Sequence, residues 1–442
     1  MYLPDSVLQC ITALEQAGFA AFVVGGCVRD ACLGLIPQDY DMCTSALPEQ
    51  TEEVFKDHRL VLAGKKHGTV GVVTKDGVVE ITTFRTEGDY RDNRHPDWVE
   101  FVPEVEKDLA RRDFTVNAMA YSPTRGYADP FSGREDLKKG ILRAVGDPVK
   151  RFREDSLRIL RGLRFAARYR LSIEAATWHA MNQEKHLMEN LARERVFEEL
   201  CKLLISVTTA QELVAYGPIL AEVIPELAPT IGFDQRSPHH AYDIFTHTAH
   251  VVTGVSPDLD RRWAALLHDV GKVPTFTQDS TGRGHFYGHA QASAEMADTI
   301  LRRLKAPTDL RTKAVFLIDK HMTKLEPDKK LLRRRLSQYG WEAVADLLAL
   351  QWADFTSKGV LGKGPDFSKI DDLLTEIQQE DACLSLKDLA VNGNDLLALG
   401  ITGKAIGLTL NHLLEQVVDE QLPNEKDTLL SYLQTKIKEN TV

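Results

Sequence analysis

No run of apolar residues in this chain approaches the roughly 18 that a membrane-spanning helix needs, and the opening MYLPDSVLQC lacks the basic-then-apolar layout of a secretory signal. A cytoplasmic protein with no membrane partner is expected. Cysteine is sparse: Cys10, Cys27, Cys32, Cys43, Cys201 and Cys383 are scattered with no CxxC pair, which argues against a zinc ribbon and a disulfide framework. No internal repeat and no low-complexity tract is found. Positive charge is in deficit, 54 Lys+Arg against 64 Asp+Glu for a net charge of -10, which on its own discourages a nucleic-acid partner.

What is present is an ordinary globular composition of 43% hydrophobic and 27% charged residues with a mean hydropathy of -0.24. The 442 residues suffice for roughly two to four folding units. An amphipathic pattern opens at Ser6 and closes at Gly18, as in a short helix. Short runs at 20–24, 70–74, 78–84 and 99–102 read as strands, the middle two joined by the turn dipeptide Asp76-Gly77. Beyond about 150, helical periodicity takes over (Leu157, Leu160, Leu163; Val196, Leu200, Leu203). Pro225, Pro229 and Pro238 punctuate one boundary, and residues 359–364 with Pro365 another. The expected class is α+β: a head with a small mixed β-sheet over 1–147, then all-α neck (148–206), body (207–360) and tail (361–442).

One segment, FVVGGCVRDACLGLIPQDYDMCT, concentrates chemistry. Gly25 and Gly26 at a strand end let backbone N–H groups approach a triphosphate, and a helix start adds its positive end. Arg29 suits a bidentate grip on phosphate. Asp39 and Asp41, two apart on extended chain, present their carboxylates to one side. Such a pair holds Mg²⁺, and two ions about 3.5–4 Å apart clamp the attacking and leaving oxygens of an in-line displacement.

GGxxRDxxLG followed by DxD resembles the nucleotidyltransferase superfamily, and RRDFTVNAMA (111–120) is similar to the second signature of its class II branch, the tRNA nucleotidyltransferases and bacterial poly(A) polymerases. DPFSGREDLKKGILRAVGDP and RFREDSLRILRGLRFAARY extend the match to roughly 20–205. The resemblance implies a nucleotidyltransferase head. It makes Glu80, in VVEITTF, a third acidic candidate, with a strand-edge charge as the alternative. It also brings Arg112 and Asp113 to the sugar or triphosphate, with Asn117 bracing the turn. In this family a loop corresponding to 88–109 helps switch the site between CTP and ATP.

The EDSLR run (154–158) then reads as a base selector. On a helix Asp155 and Arg158 lie on neighbouring faces, and Glu154, four residues before Arg158, orients it by an ion pair. An acceptor beside donors matches cytosine and adenine, whereas uracil and guanine would leave buried groups unpaired at about 1–3 kcal/mol each. The pattern resembles the family's arrangement in which side chains replace a nucleic-acid template. Arg161 and Arg164 continue the series toward the triphosphate.

Eight of the 14 histidines fall between His239 and His321. His247, then His268-Asp269 in LLHDVGK, then Asp354 form a pattern that resembles HD-domain phosphohydrolases, which implies an HD domain in the body, a divalent metal on those four residues and a secondary hydrolase activity, with His289 and His321 as further candidates.

Basic residues concentrate at 150–170 and 302–335, where cationic faces would hold RNA whatever the whole-chain sum, and the tail is assigned to tRNA binding. The expectation is a template-independent enzyme adding CCA to tRNA from CTP and ATP with Mg²⁺. An A-adding enzyme, a poly(A) polymerase, or a phosphohydrolase with a vestigial head stand as alternatives.

Overall fold

The computed structural model describes residues 1–88, 99–360 and 365–438. It divides into two compact units, Met1–Ala228 with Arg302–Ala306, and Pro229–Leu301 with Pro307–Val442.

In the first unit, helix α1 (Asp5–Gln16) buries Val7, Cys10, Ile11 and Leu14 along one side, the spacing of an amphipathic helix. Strand β1 (Ala21–Val24), α2 (Gly26–Cys32), β2 (Met42–Thr44), α3 (Pro48–Val54) and β3 (Leu60–Val61) follow. Then come β4 (Thr69–Thr74) and β5 (Gly77–Thr83), a hairpin in which Thr74 pairs with Gly77. Its two loop residues are therefore Lys75 and Asp76, one position before the expected turn dipeptide.

The strand expected at 99–102 exists as β7 (Val99–Phe101), but it pairs with β6 (Arg85–Glu87) in a separate ribbon. Helix α4 (Val105–Ala110), β8 (Ala120–Ser122), β9 (Gly126–Ala128) and α5 (Gly133–Lys139) complete the head. The main sheet runs β3-β4-β5-β2-β1-β8-β9. Its single parallel pair is β2 with β5, so the sheet is mixed, as expected. Phe22, Val24 and Cys43 of the sheet pack with Phe84, Val105 and Leu109 in the head's core.

A two-residue pairing of β10 (Ile141–Leu142) with β11 (Ser172–Ile173) brackets α6 (Pro148–Glu154) and α7 (Leu157–Tyr169). Helices α8 (Ala175–Glu184), α9 (Arg193–Ser206) and α10 (Ala210–Val223) follow, with α7 packed on α9 and α6 on α8. Gly162 makes close approach possible on α7: a Cβ there would lie 2.3 Å from Met181 Cε and 2.9 Å from Phe114 Cζ.

The second unit is helical apart from a ribbon of β12 (Thr277–Gln278) and β13 (Gly284–His285). Its helices are α11 (Ile244–Gly254), α12 (Leu259–Leu267), α13 (His289–Arg303), α14 (Thr308–Lys320), α15 (Lys329–Tyr339), α16 (Trp341–Thr356), α17 (Phe367–Gln379), α18 (Gly393–Ala398), α19 (Lys404–Val418) and α20 (Lys426–Lys438). Helices α11, α12, α14 and α16 pack together around the wholly buried Trp263, while Leu396, Leu413, Leu429 and Leu433 build a separate core in the last helices. All six cysteines are free thiols, and only Cys32 is exposed. Among the described residues no helix is long and apolar enough to cross a membrane.

Candidate active site

Strand β1 is followed by Gly25, whose φ of 76° and ψ of -123° suit glycine. A Cβ there would also meet Arg112 Nη1 at 2.8 Å, so the guanidinium lies directly over the strand end. The N–H of Val24 donates to the Asp41 carbonyl, and that of Gly25 to Met119. These bonds join the glycine turn, the DxD segment and the second signature at one edge of the sheet.

The register β2/β5 sets Met42 against Ile81. One step earlier, Asp41 and Glu80 are therefore neighbours on adjacent parallel strands. Asp39, Asp41 and Glu80 all keep an open side to solvent. The Asp41 carboxyl is nevertheless pushed above the usual range by partial burial and by the like charges of Asp39 and Glu80, against the pull of Arg112. A cluster of mutually repelling carboxylates open to solvent suits a divalent cation.

Beneath this edge lies a buried polar network. Arg29, 6% exposed, donates from Nη1 to Asn117 Oδ1 (2.5 Å), from Nη2 to the Tyr169 hydroxyl (2.5 Å) and from Nε to Asp30 (2.9 Å). All three nitrogens are thus bonded to protein. Arg29 is held by Asp30, Asn117 and Tyr169, while Arg112, whose Nε is buried without a hydrogen-bond partner, is the cation beside Asp41. Asn117 donates in turn to Asp113, which accepts a fork from Arg161 Nε (3.0 Å) and Nη2 (2.7 Å). Burial opposes ionisation of Asp113, but the Arg161 guanidinium and the Asn117 amide outweigh it and hold the carboxyl at about 2. Phe165 and Tyr169, stacked with ring centroids 6.2 Å apart, lie under these cations: Arg29 is 4.3 Å from the Tyr169 ring, and Arg164 is 4.2 Å from that of Phe165. Arg164 also meets Glu199 at 2.7 Å. In the sequence these two aromatics carry no signal of such a role beyond their spacing of four along a helix.

The EDSLR run departs from the helix expected of it. Helix α6 ends at Glu154, and Asp155 is extended (φ -144°, ψ 102°). Asp155 breaks the helix because its carboxylate accepts from the Leu157 N–H (3.0 Å), which opens α7, and from Arg195 Nη2 (3.1 Å) on α9. The expected ion pair does form: Arg158 Nη1 donates to Glu154 at 2.8 Å, while Nη2 donates to the Arg111 carbonyl at 3.0 Å. Arg158 is 9% exposed, fixed between the second signature and the neck. Arg195 belongs to this site and had no signal in its local sequence.

Both basic stretches are less open than their composition suggests. Arg153 pairs with Glu184, Arg303 with Glu226, Arg333 with Glu420, Arg334 with Asp419 and Lys329 with Glu376 and Glu380. The central part of the 88–109 loop, 89–98, lies outside the described residues, as do 361–364 of the second boundary.

In the second unit the predicted histidines converge. Among the described residues, the groups of three or more metal-binding side chains with ligand atoms within 4.8 Å of one another are His247, His268 and Asp354, and Asp269, His289 and His321. The head carboxylates form no group that tight. His247 Nε2 lies 2.9 Å from Asp354 Oδ1, and His268 Nε2 lies 3.2 Å from Asp269 Oδ2. Burial drives the His321 imidazole down to about 4. Burial also opposes charge on His268, but Asp269 overrides it and raises that ring. Lys272 pairs with Asp269 at 2.7 Å and donates to Gln235 at 2.9 Å.

The family model for the poly A polymerase head domain matches residues 21–143. Models for the RNA and SrmB-binding site of polymerase A and for tRNA nucleotidyltransferase domain 2 match 170–231 and 285–433. The CCA-adding enzyme of Ligilactobacillus salivarius is 32% identical, over 99% of this chain and 98% of its own length. That of Limosilactobacillus fermentum is 33% identical over 95% and 94%. Among solved structures, the Bacillus stearothermophilus CCA-adding enzyme in complex with CTP has a TM-score of 0.75 at 28% identity, covering 100% of this chain and 99% of that one.

Proposed function

This chain belongs to the CCA-adding enzyme family, and we propose how its own residues carry that reaction, the addition of C, C and A to the 3′ end of tRNA from CTP and ATP. The A-adding, poly(A) and vestigial-head phosphohydrolase alternatives are not favoured, because relatives matched over nearly the whole chain are CCA-adding enzymes. The observation that carries the residue assignment is the meeting of Asp39, Asp41, Glu80 and Arg112 in one field at the sheet edge.

The enzyme uses a divalent cation, and in our reading it is Mg²⁺ held by Asp39 and Asp41, with Glu80 beside them. When bound it supplies positive charge to the oxygens of the displacement in which the tRNA 3′-hydroxyl attacks the nucleotide α-phosphate and pyrophosphate leaves. Arg112, over Gly25, grips the triphosphate together with the backbone of Gly25 and Gly26. Arg29, Asn117, Asp113 and Arg161 brace that grip from below and tie it to α7, while Arg164 packs beside them on Phe165. Asp155 and Arg158 read the base edge, Glu154 and Arg195 orienting them. Cytosine and adenine pair with this acceptor-and-donor set; uracil and guanine do not. A cytoplasmic setting and a tRNA-gripping tail complete the reading, as do the head, neck, body and tail divisions at 147, 206 and 360.

The test offers purified protein three tRNA transcripts, ending before CCA, after C and after CC, with labelled CTP or ATP supplied singly. C goes onto the first and one A onto the last. Long A tracts on any RNA would overturn the reading.

A second reading concerns the second unit, where the resemblance to HD-domain phosphohydrolases meets the convergence of His247, His268, Asp269 and Asp354. These residues fit a divalent metal, since His268 Nε2 is a buried nitrogen without a hydrogen-bond partner facing two carboxylates. The metal would bring Lewis-acid chemistry to a phosphoester. Phosphomonoester hydrolysis with Ni²⁺, Mn²⁺ or Co²⁺ is expected of the parent and lost in Asp269→Ala. Equal rates in the two proteins would remove this reading.

A further inference from the structure

We propose that Tyr169, the last residue of α7, is a positioning residue for nucleotidyl transfer: its hydroxyl closes a circuit of side chains that fixes α7 against the glycine turn and the second signature. This rests on the reading of the head given above and adds to it a residue to which that reading gives no part.

The circuit starts and ends on one helix. Arg161, Phe165 and Tyr169 recur every four residues along α7 and so share a face. From Arg161 the two-pronged bond reaches Asp113, which accepts from the Asn117 amide at 3.0 Å. Asn117 Oδ1 accepts from Arg29 Nη1, and Arg29 Nη2 donates to the Tyr169 hydroxyl at 2.5 Å. The two ends lie about 12 Å apart along the helix axis. Phe165 sits between them, its ring centroid 5.2 Å from the Arg29 guanidinium and 5.3 Å from that of Arg161.

A phenol has one hydrogen to give and lone pairs with which to accept, and Tyr169 uses both. It accepts from Arg29, a guanidinium that can only donate, and its own hydrogen goes to Asp30, the next residue of α2. Asp30 also accepts from Arg29 Nε at 2.9 Å, so the three side chains form a closed triangle between α2 and α7. Burial pushes the Tyr169 phenol up and so keeps its proton in place.

Two further polar ties join α7 to the second signature, Arg158 to the Arg111 carbonyl at 3.0 Å and Arg161 to Asp113 at 2.7 Å. They leave the helix only three residues apart and act almost as a pivot. The Tyr169 bond, two turns farther on, fixes the angle about it. It fixes α2 as well: Arg29 stands three residues after Gly26, where that helix begins, so holding its guanidinium holds the turn whose backbone faces the triphosphate. Arg158 reads the base from α7 in the reading above. The separation of base contacts from phosphate contacts is therefore set by this circuit, and a misplacement of about 1 Å at the reacting atoms costs up to about 10²-fold in rate.

The test is Tyr169→Phe, which keeps the aromatic ring and its stacking and removes the hydroxyl alone. Incorporation of labelled CTP onto a transcript ending before CCA, and of ATP onto one ending in CC, gives kcat and KM for each nucleotide. A fall of about tenfold in kcat is expected for both, with KM within about twofold, because every group assigned to the nucleotide is retained. A tyrosine that served packing alone would shift the urea midpoint and leave kcat at the parental value, which would overturn the proposal. A loss carried by KM alone would put Tyr169 at the nucleotide itself and overturn it too.

The route is tested in a cycle. Asn117→Ala opens the circuit at another point, so adding Tyr169→Phe to it should lower kcat by less than about twofold more. A further full tenfold would overturn action through Arg29 and Asn117. Asp41→Asn in the same assay separates the two levels. Parental kcat in Tyr169→Phe beside an inactive Asp41→Asn overturns this inference and leaves the site assignment standing, whereas an active Asp41→Asn overturns both.

Discussion

Asp41→Asn is expected to lower the rate of incorporation of both C and A by about 10³-fold while the protein still binds tRNA. A divalent cation held by Asp39 and Asp41 would supply several kcal/mol of charge stabilisation, and each 1.36 kcal/mol is tenfold in rate. Asp41 is the more telling of the pair. Its main chain is bonded to β1 and its carboxyl feels Asp39, Glu80 and Arg112 together, so removing its charge changes the whole field while the fold at the sheet edge stays. Steady-state incorporation of labelled ATP into a transcript ending in CC reads the rate, and a filter-binding assay reads the tRNA affinity. A variant within tenfold of the parent would move the reaction away from this edge.

Asp113→Ala is expected to damage the molecule differently, through stability first. The Asp113 carboxylate is buried (7% exposed) and holds Arg161 by a two-pronged bond, with Asn117 on its other side. Deleting the carboxylate leaves the buried Asn117 amide and a guanidinium that is 35% exposed without their acceptor, and costs about 1–3 kcal/mol. Urea unfolding at neutral pH reads this directly, and a loss below about 1 kcal/mol would show that the pair is not structural.

The same group sets a pH signature. Its carboxyl is held at about 2 in the folded chain against an ordinary 3.8. Its contribution is therefore fully present above about pH 4 and is lost as pH falls through about 2. The parent should lose ~2 kcal/mol across that window through this residue, and the gap between parent and Asp113→Ala should narrow by a similar amount. A gap that stayed constant would deny Asp113 its ionised, paired state.

Much of the head was legible because its signals are local. Strand positions at 20–24, 70–74 and 78–84 follow from β-branched residues between turn residues, and the carboxylates of Asp39 and Asp41 are brought together by chain only two residues long. The Glu154–Arg158 ion pair was legible for the same reason, four residues being one helical turn. The break at Asp155 was not. It depends on Arg195, 40 residues away on another helix, competing for a carboxylate that helix geometry alone would have left facing Arg158.

Arg29 shows the same limit. Beside two glycines it reads as a phosphate ligand, yet it is held by Asn117, 88 positions on, and by Tyr169, 140 positions on. A side chain's neighbours in space decide whether its hydrogen bonds are free for a ligand, and those neighbours come from packing.

The class of the fold, the family motifs, the Asp39–Asp41 spacing and the histidine-rich segment can be read from the chain alone, because the signals that carry them are local. Packing alone sets Arg112 beside the carboxylates, pairs most cations of the basic stretches with acidic side chains, and turns one nitrogen of each of four histidines from separate helices toward Asp269. His247 and Asp354 lie 107 residues apart, and no periodicity in the chain carries such a contact. It arises when buried helix faces pack.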